Sequence, residues 1–301
     1  MASWELIHLR GNSWYISSPV NIGLYAAGDG SPGSGVILID SGNDKEAGRQ
    51  IRKILDEKKW ILSLIVNTHS NADHIGGNEY LKKITGCSIA VPEIENSFTS
   101  HPILESSFLW GGYPFKELRN KFLMAKPSAV DFTIGSTVPD TPLEVFPLPG
   151  HFLNMIGIRT PDNVVFLADA LFGEEIISKY RLVYLYDIEN YLLTLDMLEE
   201  MKADMFVPSH AAPREDIGSL IQINRRNTLE IADTIGAECA APVGTEELLK
   251  KICDRYGLEL DHNQYVLLGS TIRSYLSYLH DKGRIVPEFQ ENRLLWRAFD
   301  A

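Results

Sequence analysis

The stretch His69-Ser70-Asn71-Ala72-Asp73-His74 decides how this chain is read. It follows Leu62-Ser63-Leu64-Ile65-Val66, an apolar run that predicts a buried strand. Two imidazoles, a carboxylate and an amide therefore crowd into six residues just past a strand end. Core packing does not ask for that composition. A polar loop can hold two histidines without purpose, but neutral imidazole and carboxylate are also the donors that bind divalent ions.

Four single sites elsewhere extend the pattern. Asp40 ends an apolar run in Ile39-Asp40-Ser41-Gly42, and His151 sits in Pro149-Gly150-His151. Asp169 lies in Phe166-Leu167-Ala168-Asp169-Ala170, and His210 in Val207-Pro208-Ser209-His210. Taken singly, each has an ordinary reading as a helix cap or a hydrogen-bonded turn residue. Taken in order, all are ligand-type residues at predicted strand ends, the geometry by which distant segments converge on one pocket.

Around these sites the chain reads as α/β. Strands are predicted at 14–17, 20–25, 35–40 and 62–68, with a helix over 44–58 that sets Ala47, Ile51, Ile54 and Leu55 on one face. A short helix follows at 77–84. Strands return at 143–146, 155–158, 164–167 and 205–207, with a helix over 188–201. Between the halves, Phe108-Leu109-Trp110-Gly111-Gly112-Tyr113-Pro114-Phe115 precedes a predicted helix over 116–124. This excursion either covers the pocket or packs on the body.

After residue 217 the texture changes. Helices are predicted at 221–235, 245–256 and 265–280, then a hairpin of 284–288 with 294–298. Three helices and a hairpin make a winged-helix-like arrangement, so the domain division is 1–217 and 218–301. The second part carries ten basic and twelve acidic residues. That balance favours docking or homodimer formation over DNA reading.

The 301 residues carry 45% apolar and 23% charged side chains, as expected of a globular protein with a full core. No apolar stretch is long enough for a membrane span, and the N-terminus lacks a secretory leader. Cys87, Cys239 and Cys253 are scattered and odd in number, which suits a reducing cytoplasm. A net charge of -12 repels phosphate backbones, arguing against nucleic acid and for a small-molecule substrate. Lys82, Lys83 and the lysines of 116–126 are the only cations offered near the pocket.

The ordered motifs over residues 36–212 resemble the metallo-β-lactamase-fold superfamily, and the C-terminal part resembles the winged-helix tail of some hydrolases in it. The resemblance implies an αββα sandwich with a metal pocket at one edge. By position it assigns His69 and His151 to a first metal site and Asp73, His74 and His210 to a second. Asp169 bridges the two, and Asp40 orients the loop. Asn71 departs from the pattern, standing where the family has a further histidine. An amide oxygen is a hard, weak donor, so a weakened first site and a preferentially filled second one are expected.

Zinc, as one or two ions, is the first expectation, with iron or manganese as alternatives. The reading is a metal-dependent hydrolase of a small ester, thioester or lactone, with Asp73 or Asp169 orienting the attacking water. If the first site is empty, His69 and His151 become imidazoles free for proton transfer. Three other readings remain open: a ribonuclease or phosphodiesterase, a degenerate metal-binding protein, and an iron redox protein.

Overall fold

The computed structural model describes residues 4–28 and 30–299. Strands β1 (Glu5–Arg10), β2 (Ser13–Ser17), β3 (Ile22–Ala26) and β4 (Gly35–Ile39) pair antiparallel in chain order. Helix α1 (Lys45–Lys58) then carries the chain to β5 (Ile61–Val66), parallel to β4. Asp44 starts α1 by accepting from the amides of Glu46 and Ala47 at 2.8 and 3.1 Å. Its Ala47, Ile51, Ile54 and Leu55 are buried, the face the spacing predicts. Short helices α2 (Ala72–Ile75) and α3 (Asn78–Thr85) lead to β6 (Ser88–Pro92). After α4 (Glu93–Ser100) and α5 (Ile103–Trp110), β7 (Phe132–Ile134) completes a seven-stranded sheet.

A second sheet holds β8 (Glu144–Pro147), β9 (Ile156–Arg159), β10 (Val164–Phe172) and β11 (Met205–His210), in the order β11-β10-β9-β8. Helices α6 (Glu174–Tyr180) and α7 (Ile188–Glu200) make the crossover between the parallel pair β10 and β11. Alternation along the strands assigns the layers. Ile37, Ile39, Leu64 and Val66 meet Ile158 and Phe166 between the sheets. Val36, Leu38 and Ile65 turn outward onto Ile51 and Leu55 of α1. Val165, Leu167 and Leu171 turn outward onto Tyr191, Leu195 and Leu198 of α7. The result is the helix–sheet–sheet–helix sandwich expected from the sequence.

The last segment holds α8 (Gly218–Glu238), β12 (Val243–Gly244), α9 (Thr245–Tyr256), α10 (His262–Asp281), β13 (Ile285–Gln290) and β14 (Arg293–Ala298). The three strands pair in the order β12-β14-β13. The apolar core under the second sheet runs on into this segment, joining Leu171 and Tyr191 to Ile231, Leu248, Ile272 and Leu276. Helix α10 also packs Val266 against Leu109 of α5 and against Leu118 and Leu123.

The helix expected over 116–124 shrinks to a single 3₁₀ turn, Lys116–Leu118. Asn120 is the physical reason. Its side chain accepts from the Phe122 amide at 2.8 Å and donates to the Glu117 carbonyl at 2.7 Å, satisfying backbone groups that a helix would have paired.

The loop after His74 lies hard against the loop after β4. A Cβ on Gly76 would stand 2.2 Å from the Asn43 carbonyl carbon and 2.4 Å from its oxygen, both backbone atoms that cannot swing away. Gly76→Ala is therefore expected to destabilise the chain by about 2 kcal/mol. Urea unfolding checks this, and an unchanged midpoint would show that the two loops separate freely.

Candidate metal centre

The carboxyl ends of β4, β5, β10 and β11 open at one edge of the sandwich, and every ligand-type residue predicted from sequence meets there. Asp40 is the tie. It takes a left-handed backbone conformation (φ 63°) as β4 ends, and its amide donates to the Val66 carbonyl at 2.9 Å. Its buried carboxylate accepts from the Thr68 amide and the Thr68 hydroxyl, each at 2.8 Å, and contacts His74 Nδ1 at 2.8 Å. Asp40 thus orients the loop and leaves the metal-facing positions to others.

Those bonds choose the histidine tautomers. The Thr68 hydroxyl proton goes to Asp40, so at 3.0 Å His69 Nδ1 is the donor to Thr68 Oγ1. His151 Nδ1 donates to the Tyr184 carbonyl at 3.0 Å. In each of His69, His74 and His151 the outer nitrogen is engaged and Nε2 faces inward, the arrangement by which outer-shell partners orient metal-binding imidazoles.

Asp169 sits where these Nε2 atoms converge. A register irregularity in β10 between Phe166 and Ala168, with Ala168 left-handed at φ 48°, turns the strand there. One Asp169 oxygen lies 3.2 Å from His74 Nε2; the other lies 3.1 Å from His210 Nε2 and 3.5 Å from His151 Nε2. Asp73, half exposed, stands 3.7 Å from His210 Nε2 and 3.9 Å from His74 Nε2. His69, His151 and Asp169 form one ligand group and Asp73, His74 and His210 a second, the donor atoms of each lying within 4.8 Å of one another.

These residues fit divalent ions. His69 Nε2, His74 Nε2 and Asp169 Oδ1 are buried without a hydrogen bond, although the last two are only 3.2 Å apart. Orphaned buried polar atoms cost about 1–3 kcal/mol each, and here they share one volume. Burial pushes His69 well below the ordinary imidazole value, with His74 adding to it, so its ring is neutral. Burial likewise keeps His151 low and neutral against the pull of Asp169. For His74 burial acts downward, but the carboxylates of Asp169, Asp40 and Asp73 outweigh it and hold its proton well above the usual range. An ion bound to His74 displaces that proton. His210 is raised chiefly by Asp169 against burial. Asp169, despite its burial, is held far below the usual carboxylate range by His210 and His74.

Two buried carboxylates at this centre were not foreseen. Glu95 of α4 accepts from the Ser70 amide at 3.0 Å, from the Ser70 hydroxyl and from the Asn154 amide at 2.8 Å. It clamps the hexapeptide to the turn after His151. Glu105 of α5 accepts from Asn71 Nδ2 at 2.8 Å. Burial pushes its carboxyl well above the usual range, against the Asn71 hydrogen bond.

A cavity of about 160 Å³ borders Asn71, Asp73, Glu105, His151 and Asp169. It adjoins one of about 410 Å³ that reaches Asp73 and His210 and is walled by Phe122, Phe172, Ile176 and Leu267. Phe122 follows the aromatic stretch at 108–115; that stretch itself stays outside both cavities. Leu267 comes from α10, so the C-terminal segment supplies part of the pocket wall. Lys121 is the one cation at either cavity among the described residues, and it pairs with Asp44 at 2.7 Å. Lys82, on α3, pairs with Asp131.

Asp40→Asn removes the charge that holds His74 while keeping the side chain's size. Affinity for zinc at the group containing His74 is expected to fall about 10–100-fold. Competition with a chromophoric chelator reads this directly, and unchanged affinity would show that Asp40 serves folding alone.

Comparison with known proteins fits this geometry. The hydroxyacylglutathione hydrolase of Brucella ovis (strain ATCC 25840 / 63/290 / NCTC 10512) is 31% identical over 124 residues, covering 41% of this chain and 39% of that protein. That of Methylococcus capsulatus is 38% identical over 58 residues, covering 19% of this chain and 22% of that protein, so the chain spans well under half the length of these curated relatives. Among solved structures, a beta-lactamase domain protein from Burkholderia ambifaria superposes with a TM-score of 0.74 at 16% identity, covering 99% of this chain and 95% of that one. A metallo-beta-lactamase family protein from Thermus thermophilus gives 0.72 at 17% identity, covering 93% of each. The family described as the metallo-beta-lactamase superfamily matches residues 18–210, and the chain belongs to that superfamily.

Proposed function

We propose that the chain is a hydrolase of small acyl compounds, an ester, thioester or lactone, working with a divalent-ion centre for which zinc is the first candidate. The observation that carries this reading is the convergence of His69, His74, His151, His210, Asp73 and Asp169, with His69 Nε2 buried without a partner and His74 Nε2 and Asp169 Oδ1 left only each other at 3.2 Å. His69, His151 and Asp169 would hold one ion; Asp73, His74 and His210 would hold another, with Asp169 between them. Ions held there activate water and polarise a scissile carbonyl.

The chain's own residues then have distinct tasks. Asp73 is half exposed where the two cavities meet, placed to accept a hydrogen bond from an attacking water and orient it. Phe122, Phe172, Ile176 and Leu267 wall the larger cavity with apolar surface, suited to the hydrocarbon part of an acyl group. The relatives named hydroxyacylglutathione hydrolase support an acyl thioester as the first substrate to try. The phosphodiesterase alternative gains little, since Lys121 and Lys82 are already paired with carboxylates.

Acyl thioesters of graded chain length, followed by thiol release, test the reading. Activity is expected to vanish on chelation and return with zinc. Asp73→Ala is expected to lower kcat/KM by about 10²–10⁴-fold. Leu267→Trp, which narrows the apolar cavity, should move the preference toward shorter chains. Turnover that survives complete metal removal would overturn the proposal.

A further inference from the structure

Asn71 occupies the position where the superfamily's motif has a histidine, and its two ends face different partners. Nδ2 donates to Glu105 at 2.8 Å, while Oδ1 lies 3.0 Å from His151 Nε2. His151 gives its Nδ1 proton to the Tyr184 carbonyl, so the neutral ring presents a lone pair at Nε2. Two lone-pair atoms therefore face one another at 3.0 Å. Such a pair repels unless a cation is shared between them. Zinc bonds of about 2.0–2.2 Å place two ligand atoms of one tetrahedral ion about 3.3–3.6 Å apart, a few tenths of an ångström beyond the separation seen here.

Glu105 lies on α5, outside every motif, and is only 5% exposed. Among the described residues no lysine or arginine pairs with it, and its one hydrogen bond comes from Asn71. Its single hydrogen bond commits the carboxyl group to Asn71 and fixes which way the amide faces. A carboxylate accepting the amide N–H also draws electron density onto the amide oxygen, as outer carboxylates do for metal-binding imidazoles.

We propose that Glu105 is a positioning residue: through Asn71 it aims and polarises the amide oxygen as a third protein donor to the ion at His69 and His151. The pair Asn71–Glu105 thereby replaces the imidazole that the motif lacks. This rests on the metal-centre reading above, and it revises the expectation of a weak first site. An unsupported amide is a weak donor; one fixed and polarised by a buried carboxylate is a better one.

The test is zinc titration of the full chain against a chromophoric chelator, with cobalt(II) absorption spectra as a second readout. Native protein, Glu105→Gln, Asn71→His and the double variant are compared, each checked for native unfolding behaviour. The native chain is expected to hold two ions. Glu105→Gln is expected to weaken one of them about 10–100-fold and alter its cobalt spectrum, leaving the other unchanged. In the Asn71→His background the same change should cost less, because an imidazole binds without the carboxylate's help. Equal costs in both backgrounds, or no change in either affinity, would reduce Glu105 to a structural tether and overturn the inference alone. A native chain that binds no ion would overturn the metal-centre reading itself.

Discussion

The site hangs on the buried carboxylate of Asp40. It is held at the end of β4 by a left-handed backbone turn, and its two oxygens reach across to the Thr68 amide, the Thr68 hydroxyl and His74 Nδ1. One side chain thus joins the ends of β4 and β5 to the short helix α2. Without it the Thr68 end of the hexapeptide loses this tie to β4, leaving Glu95 and Ser41 to hold Ser70 and the His74 carbonyl, and two of its imidazoles lose the setting of their outer partners. His74 loses its acceptor directly. His69 loses it at one remove, because Asp40 consumes the Thr68 hydroxyl proton and leaves that oxygen to accept from His69. Loop geometry and histidine chemistry are set by the same few hydrogen bonds.

What the sequence made legible follows from periodicity and from residue type. The buried face of α1 was readable because a helix on a sheet repeats its apolar residues every three to four positions, as Ala47, Ile51, Ile54 and Leu55 do. Asp40, Asp169 and His210 were readable because they recur in order after apolar runs, although β10 does not stop at Asp169 as the run to Leu167 suggested but continues past an irregularity to Phe172. Glu95 and Glu105 were not readable. Each is a single acidic residue in a short helix, indistinguishable by type from solvated glutamates nearby such as Glu93. Only the way α4 and α5 fold over the hexapeptide buries them. Of the two readings of the excursion, pocket cover or packing on the body, residues beyond the aromatic stretch meet the first: the local turn around Asn120 delivers Phe122 to the cavity.

The C-terminal segment shows how far a local reading can see. Its helices lie close to where their spacing predicts, yet a list of helices does not say what they touch. Helix α10 sends Leu267 and Leu268 to the larger cavity and Val266 to the cluster containing Leu109 of α5. The core beneath β10 passes into the same segment. The segment therefore forms part of the wall of the larger cavity.

Charge gives the strongest reason to regard the centre as built for cations. Asp40, Glu95, Glu105 and Asp169 are all buried within the same few strand ends and helices. Among the described residues none of the four pairs with a lysine or arginine; the imidazoles are the only nearby groups able to carry positive charge. Two of those, His69 and His151, are kept neutral by burial. Burial pushes the carboxyls of Glu95 and Glu105 upward, whereas Asp40 and Asp169 face the raised imidazoles of His74 and His210. Divalent ions in the two ligand groups would add positive charge where the Nε2 atoms and Asp169 converge. In this view the exchange of an imidazole for Asn71 is one half of a change whose other half is Glu105. The neutral amide oxygen is a weaker donor than the neutral imidazole of the motif, and the carboxyl group bonded behind it would strengthen it.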